Sequence, residues 1–388
     1  MESKMQRVEG RDALEVLPEV LWLLVLRQLP DYEHIAFALT CRAFLEAVTA
    51  TEANSDLTRV ALKTDLTRER LFEQMPCFSL GWFEWVFRSF ERKKGESKKW
   101  RNGESSSFLY DSDLMYLAAF QGSIKVMEWL VSQDPPCDWD VWTGYEAAKG
   151  GHLHVLQWLR SQDPPCDWGE ETCSWAALGG HLHVLQWLRS QDPPCDWNWR
   201  TCAGAAEGGH LDVLQWARSQ DPPCDWDEWT CKFAAREGHL HVLQWLRSQD
   251  PPCDWNEETR DAAALRGHLD VLKWARSQDP PWDWDEMTCG WAAEGGHLDV
   301  LKWARSQDPP CDWDEGTCSG AALGGHLHVL QWLRSQDPPC PWDPEEIYDT
   351  ADEEGHLHIL QWLQQELNAS SGRSSVEEDE DDDYTDDV

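Results

Sequence analysis

GHLHVLQWLRSQDPPCDW occupies residues 151–168 and returns letter for letter at 180–197. In the copy that starts at Gly238, Leu240, Val242, Leu243, Trp245 and Leu246 form a broad apolar stripe at i, i+3 and i+4. That spacing predicts a short amphipathic helix. The glycine before it suits a turn with positive φ. Asp-Pro-Pro ends it, because proline removes a donor and biases its predecessor away from helix. A second short helix precedes the glycine: in EWTCKFAAREG, Cys231, Ala234 and Ala235 share one face. Neither helix, at roughly 10 residues, is stable alone. Each must lean on its neighbours, which is the physics of a solenoid.

The repetition has a fixed ruler. Asp-Pro-Pro starts at residues 134, 163, 192, 221, 250, 279, 308 and 337, a spacing of 29 throughout. The glycine step keeps that spacing from Gly122 to Gly325, then slips by one to Gly355, placing one extra residue near Pro344. Nine copies of the second half of the unit result. Upstream, SLGWFEWV at 79–86 aligns without gaps on SIKVMEWL at 123–130, so 66–91 reads as a degenerate capping unit. The expected organisation is a flexible N-terminus at 1–13, a small helical domain at 14–50, and a connector with the capping unit at 51–91. A polar linker at 92–110, the repeats at 111–368 and an acidic disordered tail at 369–388 follow. The fold class is all-α.

Charge narrows the partners. Of a net −38, residues 1–110 contribute −1, residues 111–368 −29 and the tail −8. Such an array repels a phosphate backbone, so no nucleic acid is expected and a basic protein partner is. No apolar run reaches the ~18 residues of a membrane helix, and MESKMQRVEGRDALEV lacks a signal-peptide core. The expected location is intracellular, cytoplasmic or nuclear.

The residue types able to carry chemistry read as structural. Most of the fourteen cysteines fall at two slots, DPPC and TC, seven residues apart. Gly144 and Arg260 replace cysteine at one slot and Trp282 at the other. A metal or disulfide framework would not survive such losses, so buried, reduced thiols are expected. The two histidines of His-Leu-His point about 200° apart on a helix and cannot chelate together. The first is expected to cap the turn; the second, replaced by Asp212, Asp270 or Asp299, to be solvated. Most of the 27 tryptophans fall at the CDW and QW slots and are expected in the core. Phosphate loops, GxSxG, HExxH and EF-hand patterns are missing. Neither an enzyme nor a cofactor or metal site is expected.

The stretch A-A-x-x-G-H-L-x-V-L-x-W-L, recurring nine times, resembles the A-A-x-x-G-H-L-E-V-V-K-L-L heart of an ankyrin repeat. The resemblance implies stacked helix pairs. The unit of 29 falls short of the family's ~33, and the missing residues lie between Trp226 and Thr230, where the family places its β-hairpin. At the N-terminus, Leu17-Pro18, then Leu29, then A-L-T-C-R-A-F from Ala38 resembles an F-box. That resemblance implies that Leu17, Pro18, Leu26, Leu29 and Cys41 dock a Skp-type adaptor of a cullin–RING ubiquitin ligase. The alternatives are an ordinary helical cap and a stand-alone scaffold.

In ankyrin-like arrays the ligand lies against the loop before the first helix and that helix's end. Here those positions are Val141, Trp142, Glu170, Glu171, Trp199, Arg200, Glu228, Trp229, Glu257, Glu258, Glu286 and Met287. The helix ends add Lys149, Leu178, Glu207, Arg236, Glu237, Arg266 and Glu294, and Trp175 and Trp291 stand off-slot. Aromatics mixed with acids suit anchor pockets for a basic segment.

Overall fold

The computed structural model describes residues 80–89, 111–278 and 285–374. All regular elements there are α-helices, and no strand occurs among the described residues. The 14–50 domain, most of the connector and the linker lie outside them. The chain separates into two compact units at Asp167/Trp168.

Each repeat is a helix pair. In the copy containing Cys231, the leading helix is Glu228–Arg236 and the trailing helix Leu240–Arg247. Within each compact unit, leading helices pack on leading helices, and each trailing helix packs on its own leading partner. Paired alanines permit this closeness: Ala205, Ala206, Ala234 and Ala235 are fully buried. A Cβ at Gly204 would stand 2.7 Å from the Ser174 carbonyl oxygen. Val242, Leu243 and Leu246 fill the space between the two helices of a pair.

The turn between the helices locks one repeat to the next. Gly238 has φ of 73°, and a Cβ there would stand 2.4 Å from Nδ1 of His268 in the following repeat. His268 Nε2 donates to the Arg236 carbonyl at 2.8 Å. His239 does the same to Glu207 and His297 to Leu265, both at 3.0 Å. These carbonyls end leading helices and lack intrahelical partners. The second histidine, expected to be solvated, has a similar role: His241 donates to the Gly209 carbonyl at 3.1 Å and His358 to Gly325 at 2.9 Å.

The loop after Asp-Pro-Pro is fastened through its cysteine. Cys253 N–H donates to the Leu246 carbonyl at 3.1 Å, its thiol to Asp227 O at 3.3 Å, and its own carbonyl accepts from Arg247 at 2.7 Å. The partner of this cysteine is 22 residues upstream, rather than seven downstream. Cys231 Sγ lies 3.9 Å from Cys253 O, and Cys289 Sγ is 3.1 Å from Cys311 Sγ. Arg260 and Trp282 are also 22 apart, so one repeat replaces both members of the pair together. Every described cysteine is a buried free thiol. Burial pushes Cys166 up to about 12, and its hydrogen-bonded neighbour, then burial, pushes Cys231 well up.

The loop leads into the next leading helix through a cap. Asp314 accepts from Thr317 N–H at 3.2 Å and its own N–H donates to Thr317 Oγ1 at 3.3 Å, the reciprocal arrangement that satisfies orphan donors. The extra residue near 344 is absorbed here: Asp343 caps a helix that starts on Pro344 and runs to Glu353. The last helix, Leu357–Ser374, continues past the boundary expected at 368.

One expectation needs correction. The described tryptophans of both the CDW and the QW slots are half-buried and lie outside the fully buried core. Trp226 meets Trp245 edge-on at 5.9 Å, and the Arg218 guanidinium covers it at 4.0 Å. The loop crosses the trailing helix at the flank of the stack, so the arginine, rather than a further apolar layer, closes the outer side. Trp226→Ala is therefore expected to cost about 2 kcal/mol in a urea melt, below the ~3–5 of a full core position.

The histidines make the fold sensitive to acid. Burial, ahead of other causes, lowers the pKa of His152, His239 and His326 from 6.5. Around His239, the Glu207 carbonyl and Glu237 raise it, whereas His241 and His210 lower it further. A depressed value favours the neutral ring in the folded state, so this stability is present above 6.5 and lost as pH falls through the folded value. The half-buried carboxyls of Asp227, Asp261 and Glu294, pushed up first by desolvation, act in the opposite sense. Urea midpoints are expected to drop from pH 7.5 to 5.5, and His239→Gln with His326→Gln to flatten that drop. An unchanged drop in the variant would remove the histidines as its cause.

Candidate functional site

The fixed positions of the repeat build the stack, which leaves the exposed flank of the leading helices free to vary. In Val141–Lys149, Trp142 packs edge-on against Tyr145 at 5.3 Å. The rest of the expected partner face lies in the second compact unit, on leading helices Glu170–Leu178, Trp199–Glu207, Glu228–Arg236, Glu257–Leu265 and Glu286–Glu294.

Three cations organise its first part. Arg200 reaches Glu171 at 3.3 Å and Glu170 at 3.6 Å and lies 5.1 Å from the Trp199 ring. Lys232 sits 4.2 Å over Trp229 and 2.6 Å from Glu258. Arg236 bridges Glu207 at 2.6 Å and Glu237 at 2.8 Å, with its guanidinium 4.8 Å over Phe233. Each cation thus rests on an aromatic face and against carboxylates. Exposed pairs of this kind contribute about 1 kcal/mol or less to stability; their value is in holding side chains in place.

Arg260 is different, because its side chain is only 9% exposed. It fills the cysteine slot and reaches Asp261 at 3.0 Å and Asp285 at 3.1 Å. Asp261 is nonetheless pushed up, desolvation outweighing the arginine.

The expected residues Glu228, Glu257, Arg266, Glu286 and Met287 are exposed, whereas Trp175, Leu178, Trp291 and Glu294 are half-buried on the same helices. Lys232, Phe233 and Asp261 belong to the face but escaped the sequence reading. The signal was available: Lys232 and Asp261 share a register with Gly290, and Phe233 with Trp175 and Trp291. No cluster of three or more metal-ligating side chains occurs among the described residues. No described helix is long and apolar enough to cross a membrane.

Residues 14–52 match the F-box domain. The expected adaptor contacts Leu17, Pro18, Leu26, Leu29 and Cys41 fall within that match and outside the described residues. A comparison with curated proteins finds no match. Among solved structures, the pentatricopeptide repeat protein PPR10 from maize is similar with a TM-score of 0.35 and 11% identity. That likeness covers 66% of this chain and 44% of the maize protein, less than half of the latter's length.

Arg260→Met is expected to lower stability by about 2 kcal/mol, because it leaves the half-buried Asp261 carboxylate without its cation. Adding Asp261→Asn should restore more than half of that loss in urea denaturation. A double variant no more stable than the single one would show that the arginine acts through packing alone.

Proposed function

We propose that this chain is a substrate-recruiting receptor of a cullin–RING ubiquitin ligase. Its N-terminal F-box domain binds a Skp-type adaptor, its helical repeats hold a protein substrate through a basic segment, and it contributes no catalytic residue. The observation that carries the reading is the F-box match at 14–52 joined to a repeat array whose variable positions gather on one exposed flank. A helical hairpin of about 35 residues is too small for a core of its own and gains stability by burying its apolar face on a partner. Leu17, Pro18, Leu26, Leu29 and Cys41 supply that face. The repeats are read as shortened ankyrin-type units, on the strength of the Gly-His turn and the paired alanines. The setting is intracellular.

Full-length protein is expected to capture a Skp-type adaptor and cullin, and Leu26→Asp with Leu29→Asp to lose at least nine-tenths of both. Absence of capture by a folded, full-length chain would leave a stand-alone scaffold.

A further inference from the structure

The flank of the leading helices divides into two chemically distinct parts. In the first part, Trp199, Trp229 and Phe233 and the carboxylates of Glu170, Glu171, Glu207, Glu237 and Glu258 are occupied internally, by Arg200, Lys232 and Arg236 as described. The last three leading helices, Glu286–Glu294, Glu315–Leu323 and Pro344–Glu353, contain no lysine or arginine. They carry Glu286, Glu294, Glu315, Glu345, Asp349 and Glu353 along the same flank, and these carboxylates have no ion-pair partner among the described residues. The apolar side chains there are open as well: Met287 is 49% exposed and Leu323 41%. Beside Trp291, Gly290 leaves the surface open, since a Cβ there would meet nothing within 4 Å. Glu286, Gly290 and Glu294 follow at i, i+4 and i+8 on one helix face. Burial alone pushes the Glu294 carboxyl up, with no cation to offset it.

We infer that this acidic end, from Glu286 to Glu353, is where the basic segment binds, in extended form, with one arginine or lysine per repeat. The inference rests on the proposed binding role of the array. The first part of the flank shows the chemistry: a cation lying on an aromatic or apolar surface and held by carboxylates. The last part has the same acceptors and supplies no cation, so the cations come from the ligand. Packed helices lie about 8–10 Å apart, and a chain extended in the polyproline-II form rises about 3.1 Å per residue with three residues per turn, which puts every third side chain on one face. Cations at every third residue therefore match successive leading helices, and the apolar residues beside them meet Met287, Trp291 and Leu323. A nucleic acid is disfavoured by the same carboxylates.

The test is fluorescence anisotropy with the full-length chain near physiological salt. The probe is a labelled twelve-residue peptide with arginine at every third position and leucine beside each. A control peptide has the same composition with its arginines contiguous. A chain of net −38 attracts any polycation, so the comparison between equal charges decides. The spaced peptide is expected to bind at least fivefold more tightly than the contiguous one. Glu286→Gln, Glu294→Gln and Glu315→Gln together should weaken it at least tenfold, while the charge-matched Asp212→Asn, Asp270→Asn and Asp299→Asn, exposed on trailing helices, leave it within twofold. Absence of binding, equal binding of the two peptides, or equal loss in the two variants would overturn the inference. Tighter binding of a peptide spanning this chain's own residues 90–103 would overturn it too, by making the occupant internal. None of these results bears on adaptor capture, so the two readings fail separately.

Discussion

The interaction on which the array depends is the hydrogen bond from a repeat's first histidine to the last carbonyl of the preceding leading helix, as at His239, His268, His297 and His356. A pair of helices of eight or nine residues has too little apolar surface to persist alone. It also ends in carbonyls that no residue of its own can satisfy. The histidine answers both needs at once. Its ring lies on the positive-φ glycine, and Nε2 closes the neighbour's helix. Glycine is required there because any side chain would occupy the volume of the ring. The paired alanines follow from the same demand, since leading helices must approach closely for the histidine to reach. Stability in such a stack is a sum over units and their interfaces.

This arrangement explains what was legible in the sequence. The Gly-His step, the alanine pair, the trailing helix's apolar stripe and the Asp-Pro-Pro stop are local signals, each tied to a backbone requirement that one repeat displays. The cysteine pairing was hidden because it is not local. Counting forward links Cys224 to Cys231, seven residues on, whereas the fold sets Cys231 against Cys253, 22 residues on. The joint loss at Arg260 and Trp282 was the available clue. The tryptophan slots misled for a related reason: a residue repeated in every unit looks like core, yet Trp226 closes a flank with an arginine on its outer side.

The candidate face was legible in outline. Loop and helix-end positions varied from copy to copy and were readable as such. Lys232 and Phe233 sit between a cysteine and an alanine pair, inside what looked like fixed framework, and only the stacked helices show that side chains there project from the flank. Those two residues change how the face is understood, since they turn a row of acids and aromatics into a set of closed contacts. Where they have no equivalents, the acids and apolar side chains remain open.

The proposed function divides the labour along the chain: the F-box domain would fix it to a ligase and the array would hold a substrate. Hydrogen–deuterium exchange of the full-length chain, with and without a saturating Skp-type adaptor, tests that division most directly. Protection confined to residues 14–52, with exchange over 170–353 unchanged, is the expected result. Protection spread over the leading helices of the array, or none at 14–52, would contradict it.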